Sequence, residues 1–112
     1  MVTQTNDASQ IRRLNDFVRT TGIGGQTVAT KGIRSLSGDA QRAIFSRVRS
    51  FSDFTKDNDP YGEHDFGTFE FEGTRINWKI DYYDNDLRYH SPNPADSAVT
   101  SRVLTIMLAE EY

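Results

Sequence analysis

The chain contains no cysteine, two histidines, three prolines and one tryptophan in 112 residues, and each shortage closes a class of explanation. Without cysteine there are no disulfides, no thiolate metal sites and no cysteine nucleophile. With His64 and His90 as the only imidazoles, a metal would have to lean on oxygen ligands, and zinc-finger arrangements are closed. No apolar run approaches the roughly 20 residues that cross a bilayer. Met1 to Asp7 also lacks a basic segment followed by an apolar one, so the expectation is a cytoplasmic protein without membrane contact. G-x-S-x-G, a Walker-type phosphate loop, H-E-x-x-H and a G-x-G-x-x-G in strand-turn-helix context are all missing, which removes the enzyme classes with the most legible motifs.

What is present suffices for one hydrophobic core built without metals or cross-links. The expectation is a single α+β domain over residues 1–112, with 1–7 disordered. The net charge of −3 conceals an asymmetry: up to Ser52 eight basic residues oppose three acidic ones, and from Asp53 onward five oppose thirteen. Such a split fits two faces of opposite potential, which would steer association.

Ile11, Leu14, Phe17 and Val18 recur at helical spacing, with Arg12, Arg13, Asn15, Asp16 and Arg19 assigned to the polar positions, and Gly22 stands where a left-handed cap would end the helix. This predicts a first helix from about Ala8 to Thr20. After the turn Gly22-Ile23-Gly24-Gly25, the β-branched stretch Gln26 to Thr30 predicts a short strand. Ser37 is a candidate N-cap, Asp39 lies in the first turn, and Ala40, Ile44, Val48 and Phe51 repeat every three or four residues, predicting a helix over Gly38 to Ser50.

Strict alternation in Thr68 to Tyr82 predicts a β-hairpin. With Gly73 and Thr74 as its loop, Phe71 would face Ile76, Phe69 would face Trp78, and Glu72 and Glu70 would lie opposite Arg75 and Asn77. Phe66 falls on the polar side, calling for a bulge or a later strand start. Val99, Val103, Leu104, Ile106, Met107 and Leu108 could be a buried strand or helix. Asp96 as N-cap and the helix formers at the end favour a helix over Ser97 to Glu110. The expected order is therefore helix, strand, helix, hairpin, helix, with helices on one face of a small, mainly antiparallel sheet.

Two segments carry potential chemistry, Asp53 to Gly67 and Asp81 to His90. Asp57, Asn58, Asp59, Glu63, His64 and Asp65 offer oxygen and imidazole donors. The calcium-loop template fails, because Tyr61 and Thr68 stand at positions five and twelve, although Gly62 falls at six. Turn formation around Pro60 and Gly62 accounts for the same residues. If a metal were held, its ligands would be Asp59, Glu63, His64 and Asp65; if the protein were an enzyme, Glu63, His64 and Asp81 would do acid–base work. Otherwise no metal or cofactor is expected, and catalytic residues stay unassigned. His90 reads as a solvated loop histidine, and Arg42 and Arg49, with Arg47 and Arg34 adjoining, as a solvated helix face able to meet phosphates. The pI near 5.3 argues against direct nucleic-acid binding.

The strings DNDPYGEHDFG, WKIDYYD, SPNPADSAVT and RVLTIMLAEEY occur in order and resemble the DUF3768 family, small proteins of alphaproteobacterial genomes and mobile elements. The resemblance spans roughly residues 10 to 112 and implies no known activity. Its mobile-element context implies an accessory or inhibitor role, including counter-defence of the anti-CRISPR or antirestriction kind. On the residues, the expectation is a non-enzymatic protein that meets the basic surface of a protein or nucleoprotein complex through an acidic, aromatic surface. Asp57, Asp59, Tyr61, Glu63, Asp65, Tyr83, Asp84 and Asp86 would form that surface. The alternative is a metal-dependent hydrolase or nuclease using the same loops.

Overall fold

A computed structural model describes residues 3–112, with side chains described from Asp7 onward. The disorder expected over 1–7 falls partly outside that range. The elements are α1 (Thr3–Thr21), β1 (Gln26–Ala29), α2 (Lys31–Arg34), α3 (Gly38–Arg49), β2 (Phe66–Phe71), β3 (Thr74–Tyr83) and β4 (Ser101–Leu108). Short 3-10 turns cover Ser97–Val99 and Ala109–Glu111. The sheet order is β1-β4-β3-β2, antiparallel except for β1, which runs parallel to β4. This is the expected α+β class. Among the described residues no helix is long and apolar enough to cross a membrane.

The ends of α3 follow from local chemistry: the Ser37 hydroxyl accepts from the Ala40 amide at 3.1 Å, and Asp39 sits in the first turn. Its buried stripe of Ile44 and Val48 meets Val18 of α1, Ile33 of α2 and the sheet residues Phe69, Ile76, Trp78, Ile80, Leu104 and Ile106. Trp78 is fully buried as expected, with Phe51 and Phe54 edge-on to its indole at 5.5 and 6.2 Å.

Three expectations need correction. The C-terminal run is strand, not helix. β4 is a central strand between β1 and β3, with Leu104 and Ile106 buried beneath the helices and Met107 buried on the opposite side. Burial alternates from Ser101 to Ile106, but Val103 and Met107 put apolar residues on the open face as well, and this hides the period. Asp96 does cap, but only the Ser97–Val99 turn, accepting from the Ala98 amide at 2.9 Å.

The hairpin is also shifted by two residues. Its loop is Glu72-Gly73, with φ of 50° and 83°, the pair of positive values that a type I′ turn requires and glycine supplies at least cost. Phe71 therefore faces Thr74, Phe69 faces Ile76, and Gly67 faces Trp78. Glu70 meets Arg75 at 3.4 Å and Thr68 meets Asn77. An even shift leaves each side chain on its expected face. Phe66 needs no bulge, because it lies half-buried on the polar side, 6.1 Å from the Tyr112 ring. The reason for the register is steric: a Cβ on Gly67 would lie 2.3 Å from Trp78 Nε1, so only glycine admits the indole there.

The third correction concerns α1. Asn15 and Arg19, assigned to the wet side, are buried, while Phe17 is half exposed. The buried stripe is Ile11, Asn15, Val18 and Arg19, a mixed polar and apolar face at helical spacing. It is covered because the loops after α3 and β3 fold onto it.

Replacing Gly67 with Ala tests this register. Overpacking against the indole should lower stability by about 1 to 3 kcal/mol in urea denaturation, and unchanged stability would mean that Gly67 does not face Trp78.

Candidate functional site

The loops expected to carry chemistry meet at one end of β3, and a chain of polar groups holds them there. Arg102, buried on β4, donates from Nε to Asn15 Oδ1 at 2.8 Å. Asn15 in turn donates from Nδ2 to the Glu63 carbonyl at 2.9 Å and to the Tyr82 hydroxyl at 2.8 Å. Tyr82 donates onward to Glu63 Oε1 at 2.8 Å. Every link points the same way, from a buried cation to a carboxylate, and the Arg102 guanidinium lies 5.2 Å from the centre of the Tyr82 ring.

Titration follows from this arrangement. Burial and then the Glu63 interaction push the Tyr82 phenol well above its ordinary value, outweighing the lowering effect of the Asn15 bond, so it stays a donor. Burial lowers the Arg102 guanidinium, countered by Tyr82 and Glu63, but an arginine keeps its charge in proteins.

Beside this chain His64 has a structural position. Its ring stacks on Phe54 at 3.7 Å, its Nδ1 lies 2.9 Å from Asp16 Oδ1, and its Nε2 lies 3.6 Å from Asp59 Oδ2. The Asp59 carboxylate also accepts from the His64 amide at 3.1 Å, fixing the residue at a φ of 55°. Both ring nitrogens therefore face carboxylates, which argues for support of the loop.

The residues expected to act together thus divide. Asp59 and His64 serve each other, Glu63 serves Tyr82, and Asp81 forms an ion pair with Lys79 at 2.9 Å. Among the described residues no group of three or more His, Asp and Glu side chains is placed to hold a metal. The expected ligands Asp59, Glu63, His64 and Asp65 do not converge as one set, and Glu63, His64 and Asp81 have separate partners. Asp84 accepts from the Arg88 and Tyr89 amides at 3.0 and 3.4 Å, so it shapes its loop. Asp57 and Asp86 are exposed, and Tyr61 is 80% exposed at a loop tip.

What does converge is an open pocket of about 310 Å³ lined by Asp65, Ile80, Asp81, Tyr82, Tyr83 and His90. It occupies the stretch of β3 that extends beyond β2. The Ile80 amide donates to the Asp65 carbonyl at 2.8 Å on one side, and Tyr83 bridges His90 on the other. His90 lies edge-on to Tyr82 at 6.2 Å. The Asp65 carboxyl is raised by burial first, then by the charges of Glu63, Asp59 and Asp81, against a lowering backbone hydrogen bond. Among the described residues it has no ion-pair partner.

Sequence reading missed Asn15, Asp16, Arg19 and Arg102, whereas His90 is exposed as expected and lines the open pocket. The available signal was the spacing of Asn15 with Ile11 and Val18, which places it within an apolar stripe, and an arginine inside the apolar run of β4.

The raised Asp65 predicts a pH-dependent effect. A carboxyl raised in the folded state favours folding in acid, and that contribution is lost as pH rises from the ordinary carboxylate value through the folded one. Asp65→Asn should therefore raise the melting temperature at pH 7, with the gain shrinking toward pH 3. A variant that is less stable than the parent at pH 7 would show that the carboxylate is compensated.

No curated protein and no solved structure matches the chain. The family described as protein of unknown function (DUF3768) matches residues 29–111. The match covers Glu63, Asp65, Asp81, Tyr82 and Arg102 and stops short of α1, which supplies Asn15. With nearly all of the sheet and the whole acidic pocket inside that match, the chain belongs to the DUF3768 family.

Proposed function

We propose that the protein is a non-enzymatic binding protein whose acidic, aromatic pocket receives a lysine or arginine side chain from the basic surface of a partner protein or nucleoprotein complex. The observation that carries this reading is Asp65, a half-buried carboxylate crowded by other carboxylates, without an ion-pair partner among the described residues, beside Tyr82, Tyr83 and His90. A cation seated there would relieve the repulsion, and aromatic faces favour such a guest.

The surroundings fit an interface of this kind. Tyr61 and Tyr89 are 80% and 72% exposed on the two loops, and exposed tyrosines are common anchors at protein interfaces. Asp57 and Asp86 lie at exposed positions from which charge acts by steering. Occupying a basic nucleic-acid site of its partner would make the protein an accessory or an inhibitor, with the cytoplasm as its place of action. Asp59, Glu63 and Asp84 support this surface by holding the loops.

The test is capture of partners from a native host lysate by the wild type and by a variant with Asp57, Asp65 and Asp86 changed to Lys. Partners of the wild type should be released by added salt and lost by the variant, since exposed charges are screened over about 10 Å at 0.1 M salt. Tyr83→Ala should weaken capture at every salt concentration. Recovery of the same partners at the same salt resistance by the charge-reversed protein would refute the proposal.

A further inference from the structure

The opposite edge of the sheet carries a second set of observations. β1 is an outer strand, uncharged and free of proline, with Val28 43% exposed. The Thr30 amide donates to the Ile106 carbonyl at 3.1 Å. By the two-residue period of a ladder, Val28 and Gln26 also turn toward β4, and the backbone groups of Thr27 and Ala29 turn outward. Arg34 Nε donates to the Ala29 carbonyl at 3.1 Å. The Thr27 amide and carbonyl and the Ala29 amide have no partner among the described residues. Sheet edges left this way are templates for another strand.

Next to this edge, on the helix-covered face, lies a depression of about 120 Å³, near the roughly 150 Å³ that holds a benzene ring in an apolar cavity. Leu104 and Ile106 form its floor, Phe45 and Val48 its wall, and Thr27 its margin at the open edge. Arg49 stands at its rim, and Arg42 shares the α3 stripe with Phe45 and Arg49 by helical spacing. Arg42 pairs with Asp39, while Glu111 is tied to Thr30 and the Gly32 amide. Arg34 and Arg49 therefore set a positive sign along the groove.

We propose that β1 and this depression form a docking site for an extended acidic peptide segment of a partner protein, bound by strand addition. The peptide backbone pairs with Thr27 and Ala29, one aliphatic side chain sits on Leu104 and Ile106, and flanking carboxylates meet Arg49 and Arg34. Main-chain pairing supplies affinity in this mode and alternate side chains supply selectivity. A second copy of the chain is a poor occupant, because its own uncharged β1 would bring no carboxylate to Arg34 and Arg49. A nucleic acid would use the arginines but neither the free amides nor the apolar floor.

The test uses the full chain panned against a displayed library of random heptapeptides. Selected sequences should be rich in Asp and Glu, with aliphatic residues at alternate positions. A synthetic peptide of the selected sequence should protect the Thr27 and Ala29 amides from hydrogen exchange. Thr27→Pro removes the outward amide at a position where an edge strand tolerates proline, and it should weaken the peptide at least ten-fold. Arg49→Glu, on the exposed surface, should do the same, and it decides the matter if the proline variant does not fold. Asp65→Lys at the other site should leave peptide affinity unchanged, which separates this proposal from the preceding one. Selection of basic or featureless peptides, full affinity in the Arg49→Glu protein, or protection of Thr27 by self-association without peptide would each overturn it.

Discussion

The buried guanidinium of Arg19 is the contact on which the arrangement of the loops depends. From the last turns of α1, its Nη1 reaches the carbonyls of Val48, Arg49 and Phe51 at 3.0 to 3.1 Å, while Nη2 pairs with Asp16 at 3.0 Å. Carbonyls at the end of a helix lack intrahelical donors, and a cation there answers both the missing hydrogen bonds and the helix dipole. The same group lies 5.4 and 5.3 Å from the rings of Phe54 and Trp78. Removing one partner of a buried charged contact of this kind costs about 3 to 5 kcal/mol. Arg19 thus joins α1, α3 and the sheet at the point where the chain leaves α3 for the acidic loop.

From that point the loop is laid along α1 by residues about one turn apart. Asp16 engages His64, Asn15 takes the Glu63 carbonyl, and Arg12 donates to the Gly62 carbonyl at 2.9 Å. Asp59 and Glu63 are spent on fixing this path, whereas Asp65 is carried to the pocket without an ion-pair partner among the described residues. A surface ordered in advance loses less conformational freedom when a partner arrives. The acidic segment therefore works as two populations of carboxylates, one that builds the loop and one that is left for an external cation.

The legible parts of the fold were those with a clean period or a local cap. Ser37, the Ile44 and Val48 stripe, Gly22 and the β-branched Gln26 to Ala29 carry their own instructions, and α3 and β1 follow from them. The hairpin's faces were legible from alternation, but its register depended on the contact between Gly67 and Trp78, residues 11 apart that spacing alone does not pair. β4 misled because Val103 and Met107 make its half-buried face largely apolar too, so residue type does not mark its period. The candidate site was half legible. Its carboxylates and tyrosines stand out by density, but their division into structural and free groups depends on Asn15 and Arg19 of α1 and on Arg102 of β4. Those residues look like ordinary surface polar groups until the loops cover them.

The central claim is that the polar face of α1 organises the acidic end of the molecule. Hydrogen exchange in an Asn15→Leu protein tests it most directly, because leucine keeps much of the volume and removes the links to Arg102, Tyr82 and Glu63. The account predicts faster exchange at the His64 and Ile80 amides, which bond to Asp59 and to the Asp65 carbonyl at the pocket. The Thr30 amide, bonded to Ile106 at the far edge of the sheet, should keep its protection. Uniform loss of protection across both regions, or unchanged exchange at His64 and Ile80, would contradict the account.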